Sequence, residues 1–484
     1  MGRKRIDLAE IARQAMLDRG LHPDLPREAA AELDRLAGPA TPDDDSIRDL
    51  RKLPWISIDN DDSRDLDQLS TAERTGERTS LLVAIADVDS LVPRDSALDR
   101  HARANTTSVY TPARIFPMLP EKLSTDLTSL NPGEDRLATV AELVVDDEGV
   151  LESANVFRAV VRNHAKLAYE PVADWMEGKG REPEAMVAFP PAAEQVRMQD
   201  QVARRLRHLR TEAGALDFET IEAKAEMSDG EVVAVRKRRQ TRAHEIIEDL
   251  MIATNGVTAR FLDRKKMPSL RRVVRAPERW ERIVRLAEEH GYKLPPEPDS
   301  SALEEFLLVQ KRTNPTTFPD ISLSIIKLLG RGEYVAQKPG APPIGHFGLA
   351  ARDYTHSTAP NRRYPDLVTQ RLVKAAIAGE RSPYSLDELD AIAAHCTAQE
   401  DAAEKVERLA VKAAAALHLA PRVGDSFGGV ITGASAKGTW VRIFDPPVEG
   451  KIVAGERGLD VGDRVRVRLV GTDPERGFID FARA

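Results

Sequence analysis

The densest concentration of reactive side chains in the 484-residue chain is the run Ile58-Asp-Asn-Asp-Asp-Ser-Arg-Asp-Leu-Asp-Gln-Leu. Carboxylates crowded this closely repel one another, and folding them together is costly unless a cation neutralises them. Every acidic donor in the run is a hard oxygen with no His or Cys beside it, which points to Mg²⁺ or Mn²⁺ rather than a softer metal. A calcium loop of the EF-hand kind is excluded. Counted from Asp59, Arg64 stands at the turn glycine and Ser70 at the bidentate glutamate. A solvated acidic loop is the competing reading of the run by itself. The strand that precedes it, and the alternation Asp65-Leu-Asp67 that turns two carboxylates to one face, weigh towards a metal site.

A second cluster lies far downstream, in His346-Phe-Gly-Leu-Ala-Ala-Arg-Asp-Tyr-Thr-His-Ser-Thr-Ala-Pro-Asn-Arg-Arg-Tyr-Pro-Asp-Leu. Arg362 and Arg363, close behind a proline and flanked by Tyr364, suit bidentate recognition of a phosphate. Pro365 helps to fix the loop. A surface salt-bridge network with the abundant acids is the other reading of this pair.

The apolar pattern supplies the elements that must hold these groups. Asp7 is a plausible N-cap for a helix whose face carries Leu8, Ile11, Ala12, Ala15 and Met16, stopped by Gly20, and a second helix starts near Pro26 and ends by Gly38. These two are expected to form part of a helix-turn-helix, or else a packing hairpin or partner-docking arm. A linker rich in Pro, Asp and Ser follows. From about residue 51 to 378, short strands such as Trp55-Ile-Ser-Ile and Leu81-Leu-Val-Ala-Ile-Ala mix with helical stretches at 194–210 and 243–262. An Ala-rich helical connector spans 387–420. The last stretch turns to short strands with glycine punctuation, as in Val461-Gly-Asp-Arg-Val-Arg-Val-Arg-Leu-Val, and predicts a closed barrel of OB type. There Phe427, Trp440 and Phe444, interleaved with Arg442 and Lys451, are expected to form a stacking platform for single-stranded bases, the alternative being that the aromatics fill the barrel core. The predicted class is α+β, with a helical region at 1–45, a large mixed domain at 46–420 and the barrel at 421–484.

Composition bounds the function. The chain is 42% hydrophobic and 31% charged, with 70 Lys and Arg against 78 Asp and Glu. A net charge of −8 argues against coating nucleic acid by bulk charge and leaves room for a local basic track. The single Cys396 excludes an internal disulfide framework and a thiolate metal cage. With no apolar run long enough for a membrane span and no secretory h-region, a cytoplasmic location is expected.

The motifs, taken in order, resemble the ribonuclease II family, also called RNB exoribonucleases. The resemblance rests on Ile58-Asp-Asn-Asp-Asp-Ser-Arg-Asp-Leu-Asp, Ala84-Ile-Ala-Asp-Val, Ser108-Val-Tyr-Thr-Pro, Phe116-Pro-Met-Leu-Pro-Glu-Lys-Leu-Ser, Gly214-Ala-Leu-Asp-Phe, Ala243-His-Glu-Ile-Ile-Glu-Asp-Leu-Met-Ile-Ala-Thr-Asn and the His346 block. The C-terminal barrel is similar to the S1 RNA-binding domain of that family. The resemblance implies a processive hydrolytic 3′→5′ exoribonuclease that threads single-stranded RNA to a metal site and releases nucleoside 5′-monophosphates. It implies no obligate protein partner. Carried over by position, Asp59, Asp65 and Asp67 match the acidic residues that hold Mg²⁺ or arrange the attacking water, and Asp67 matches the most critical of them. Arg362 matches the arginine on the scissile phosphate, Tyr110 and Phe218 the aromatic clamp on the terminal bases, and Glu248 an acid at the last nucleotide. Tyr169, in Ala165-Lys-Leu-Ala-Tyr, falls in a further matching segment, and Arg363 and Trp440 complete the expected RNA contacts. Two departures stand out. Gln68 replaces a fourth aspartate, which keeps an oxygen ligand but removes a charge. Only 58 residues precede Asp59, so the paired cold-shock barrels of familiar bacterial members are not expected. An inert RNA-binding protein on the same fold is the alternative that Gln68 favours, and a regulator acting through the N-terminal helices is compatible with either.

Overall fold

The computed structural model describes residues 6–221, 223–228, 231–237, 239–315, 317–435 and 438–484. The first five residues of the helical region expected over 1–45 lie outside these. At its centre is a seven-stranded mixed sheet in the order Arg48–Asp49, Leu151–Arg162, Asp135–Val145, Arg78–Ala86, Gln68–Thr75, Ile56–Asp59, Ala165–Ala168. The inner strands pair antiparallel and the two outermost pair parallel to their neighbours. Leu81, Val83 and Ile85 alternate on the strand Arg78–Ala86 and are buried, as the period-2 pattern requires.

Helices cover this sheet. Pro191–Glu212 lies against the strand Gln68–Thr75, where Gln199 accepts a hydrogen bond from the Ser70 hydroxyl at 2.7 Å and Gln195 accepts one from the Ala72 N–H at 2.7 Å. Arg242–Arg264 packs on that helix and on the two long strands. Tyr364–Ala378 is buried for most of its length, and its Leu367, Val368 and Leu372 join the main core. The expected Ala-rich connector is one helix, Leu386–Leu419, started by a Ser385/Glu388 capping box.

The barrel closes through five strands in the order Ser426–Ser435, Gly438–Ile443, Glu449–Ala454, Phe478–Arg483, Arg464–Asp473. Gly450 is required there, because a Cβ at that position would lie 2.5 Å from the Ile479 carbonyl oxygen. Ala415, Ala416 and Leu419 at the end of the long helix enter the barrel core with Phe427, Val441 and Phe481. Small residues let helix and barrel approach closely.

Two expectations change. The first helix, Leu8–Leu17, is capped by Asp7 and buries Ala12, Ala15 and Met16 against Ala403, Val406 and Ala410 of the long helix. The second, Arg27–Arg35, lies against the helix Ala97–Asn105, where Glu32 accepts hydrogen bonds from the N–H groups of Ala97 and Leu98. Their apolar faces are covered by the large domain, so the two helices pack on it as an arm. The aromatic platform also divides. Phe427 is buried in the barrel core, edge-on to Phe481, and Arg442 is buried in an ion pair with Asp320 of the helix Phe318–Leu329 at 2.8 Å. Trp440 stays half-buried and Phe444 exposed. No helix among the described residues is long and apolar enough to cross a membrane.

Candidate active site

The acidic run leaves the sheet at the end of the strand Ile56–Asp59 and rejoins it at Gln68. It is pinned in between. The Lys166 ammonium donates to the carbonyls of Asp61 and Ser63, at 3.2 and 2.5 Å. The Ser129 hydroxyl donates to the Arg64 carbonyl and accepts from the Leu66 N–H. The loop thereby presents Asp59 and Asp67 from fixed backbone.

Asp67 is fully buried. Its Oδ2 accepts from Arg362 Nε at 2.6 Å and its Oδ1 from the Asn361 N–H at 3.2 Å. The loop carrying Arg362 is itself anchored. The Arg362 carbonyl accepts from the Ser108 N–H, and buried Asp366 accepts from the Ala359 N–H at 2.8 Å and from Arg363 Nη2 at 2.7 Å. Arg363 is thus held by its own carboxylate partner beside the site.

These groups surround a cavity of about 520 Å³, lined by Asp59, Gln68, Tyr110, Tyr169, Glu248, Arg362 and Arg363 among others. Asp67 lies behind Arg362, and Asp65 is close enough to raise the proton affinity of both Asp59 and Asp67. Tyr110 is 41% exposed and lines this space, and its N–H donates to Glu407 of the long helix at 2.8 Å. Tyr169 stacks on His244, ring centres 3.9 Å apart. A second, larger cavity of about 1030 Å³ adjoins the first along the helix Arg242–Arg264, whose Glu248 and Ile252 line both. Phe218 lines this second cavity and also packs towards the cluster of Trp280, Phe306 and Phe318. Trp440, on the barrel, lines neither cavity.

Electrostatics follow from burial. Desolvation, reinforced by Asp65, pushes the Asp67 carboxyl up to about 6 despite Arg362, and raises Asp59 in the same way. Burial also raises Glu248, and the enclosed Tyr110 phenol is pushed up to about 12. Burial opposes the Arg362 charge, yet Asp67, Asp65 and Asp59 outweigh it and hold the guanidinium firmly protonated.

The expected metal-ligand set of Asp59, Asp65, Asp67 and Gln68 is only partly assembled. Among the described residues, no three His, Cys, Asp or Glu side chains stand together closely enough to hold a metal ion. The guanidinium of Arg362 is the positive charge that Asp67 meets. In kind the donors still suit a hard divalent cation: all are oxygens, and Asp59 and Gln68 face the cavity. Burial raises the proton affinity of Asp59 even with Arg362 nearby, a cost that a bound cation would relieve.

Sequence reasoning did not single out Lys166, His244, Asn361 or Glu407. Glu407 carries no local signal, since it resembles the other glutamates of an Ala-rich helix. The first three sat inside recognised motifs without an assigned part.

Comparison with known proteins decides the family. Residues 47–379 match the RNB domain, and residues 425–484 match the C-terminal S1 domain of RNase II-type exonucleases. The chain belongs to the RNB family. Its relatives include Ribonuclease R of Aquifex aeolicus, 32% identical over 467 residues that cover 90% of this chain and 64% of that protein. Ribonuclease R of Escherichia coli strain K12 is 32% identical over 474 residues, covering 90% and 57% respectively. This RNB chain therefore spans somewhat over half the length of these two curated relatives. Among solved structures, Mycoplasma genitalium RNase R in complex with ribose-methylated single-stranded RNA superposes with a TM-score of 0.89 at 22% identity, over 99% of this chain and 78% of that one. Yeast Ssd1, a pseudonuclease, superposes at 0.72 with 17% identity, over 92% and 55%. The RNB fold is thus shared by a ribonuclease and a pseudonuclease, and the site residues must decide between them.

Proposed function

We propose that this chain is a hydrolytic, processive 3′→5′ exoribonuclease that degrades single-stranded RNA to nucleoside 5′-monophosphates in the cytoplasm with Mg²⁺, or Mn²⁺, as cofactor. The observation that carries the reading is the ion pair of buried Asp67 with half-buried Arg362 at one wall of a cavity that Asp59, Gln68 and Tyr110 also line. A half-buried guanidinium facing such a space is suited to a phosphate, whose charge grows on the non-bridging oxygens during hydrolysis. Asp67 orients that guanidinium through Nε, and the Tyr110 phenol stands next to it on the side of the cavity. Asp59, Asp65 and Asp67, with the Gln68 carbonyl, would hold the divalent cation, which when bound supplies charge neutralisation and a more acidic water. Tyr110 stacks on a terminal base at ~1–3 kcal/mol per base, without sequence preference. Tyr169, Glu248 and Arg363 border the last nucleotide, Phe218 borders the bases before it, and Trp440 offers the barrel a further stacking surface. We divide the chain into the N-terminal helices at 1–45, the RNB body at 46–420 and the S1 barrel at 421–484.

The second reading, an RNA-binding protein without turnover, is favoured by Gln68 and by the incomplete gathering of carboxylates. Asp67→Asn separates the two. The hydrolase reading expects turnover to fall at least about a hundredfold while RNA affinity is retained. Unchanged nucleotide release, or lost affinity, removes Asp67 from catalysis.

A further inference from the structure

The segment 214–220 carries Phe218 into the larger cavity and forms no helix or strand of its own, so its backbone groups must find partners elsewhere. The helix Ser300–Thr313 supplies the main ones. A Cβ at Gly214, where φ is +89°, would lie 2.6 Å from the Ser301 hydroxyl oxygen, so the chain rests directly on the first turn of that helix. Further along it, Glu304 Oε2 accepts from the Asp217 N–H at 2.8 Å, and the Lys311 ammonium donates to the Asp217 carboxylate at 2.7 Å. The Leu216 N–H donates to the Gly348 carbonyl, and the Glu219 N–H to the Ser322 hydroxyl oxygen at 3.3 Å. The bonds of Asp217 and Glu219 bracket Phe218.

Glu304 is an expensive choice for this anchor. The residue is 2% exposed, and its Oε1 is buried with no hydrogen-bond partner among the described residues. Burial pushes the carboxyl up to about 7. In its neutral form it accepts the Asp217 bond as an amide would. Ionised, it is a desolvated charge with one donor, beside the Asp217 carboxylate. The cations around it are committed elsewhere. Lys311 pairs with Asp217, and Arg207 and Arg210 of the helix Pro191–Glu212 pair with Asp249. Lys237 and Arg239, which line the same cavity, pair with Glu219 and Asp174. His346 lines it too, and burial pushes its imidazole down to about 4, so it stays neutral. On the helix Arg242–Arg264, Glu245 and Glu248 border the cavity with further carboxyls. The helix Phe318–Leu329 offers the Ser322 hydroxyl while its Asp320 pairs with Arg442, and Trp280–Glu289 contributes only apolar side chains to the cluster behind.

We infer that Glu304 is a positioning residue for Phe218: with its proton it fixes the segment 214–220 so that the ring stands in the cavity to stack on an RNA base, and without it the segment admits water and the ring withdraws. The inference rests on the base-stacking part of the exoribonuclease reading and adds to it a dependence of that stack on pH.

The test uses the full chain carrying Asp67→Asn, which halts turnover on the exoribonuclease reading and removes the carboxyl that titrates near 6. It is bound to RNA oligonucleotides with the fluorescent base 2-aminopurine at each position in turn. The position whose quenching Phe218→Ala relieves marks the base on that ring. Quenching there should be strong at about pH 6, where about nine in ten Glu304 carboxyls are neutral, and fall at least about threefold by about pH 8, where about one in ten is. Glu304→Gln accepts the same bond without a charge and should hold the quenching constant over this range. Glu304→Ala should lose it throughout. Equal quenching at both pH values, or a fall that Glu304→Gln leaves in place, overturns the inference. So does a Phe218→Ala variant that relieves quenching at no position. Should Glu304→Ala not fold, the two pH profiles with and without Glu304→Gln decide alone. A chain with Asp67 intact that releases no nucleotide, while the pH-dependent quenching holds, contradicts the exoribonuclease reading and leaves the role of Glu304 standing. Nucleotide release with quenching that ignores pH does the reverse.

Discussion

Asp67 is held between opposing influences. Its burial disfavours the charged form, Arg362 favours it, and the balance leaves the carboxyl near 6, above the usual aspartate range. A carboxyl whose folded pKa is raised binds its proton more tightly folded than unfolded. Its stabilising contribution is complete below the unfolded value of about 4 and is lost as pH rises through 6. Relative to Asp67→Asn, the wild-type chain should therefore lose stability between about pH 4 and 6, by up to ~3 kcal/mol, in denaturant unfolding without added metal. A pH-independent difference would mean that Arg362 compensates the burial fully. The sequence made the acidic run and the Arg362–Arg363 pair visible because each is a local cluster. The bond between Asp67 and Arg362 was not visible as such, since 295 positions separate them and only the closed fold joins them.

At the scale of elements, the long helix and the barrel are tied by small apolar residues, and the barrel and the helix Phe318–Leu329 by a buried charge pair. Arg442 and Asp320 are both largely inaccessible, so removing one leaves the other desolvated and unpaired. Arg442→Ala should cost about 3–5 kcal/mol and lower the thermal midpoint. A loss below about 1 kcal/mol, the surface ion-pair range, would mean that the pair is open to solvent. This pair also marks the limit of pattern reading. Arg442 alternates with apolar neighbours as an RNA-facing residue would, and nothing local distinguishes it from the exposed Arg464, Arg466 and Arg468. The strands and helices themselves were legible because their periods and caps are local, as with Asp7 and the face Ala12, Ala15, Met16. What those faces pack against is a long-range fact, and the first helix meets the long helix instead of its sequence neighbour.

Across the whole molecule, the adjoining cavities give the site its reach. Glu248 joins the two, and Tyr110 stands in the smaller one with its backbone held by Glu407. On the exoribonuclease reading the last fragment is released when too few bases remain to stack, so Tyr110→Ala should change the length of the undigested end product on a sequencing gel. An unchanged length assigns the release point to other residues. The order of the motifs made the RNB body and the S1 barrel legible from sequence. The cavities were not, because they are bounded by residues from strands, loops and several helices far apart in the chain.

The most direct measurement of the central claim is digestion of a 5′-labelled single-stranded RNA by the full chain, with and without chelator. The account predicts a short labelled end product and nucleoside 5′-monophosphates from the earliest times, abolished by chelation and restored by Mg²⁺ or Mn²⁺. Intact RNA held in complex under every condition would contradict it.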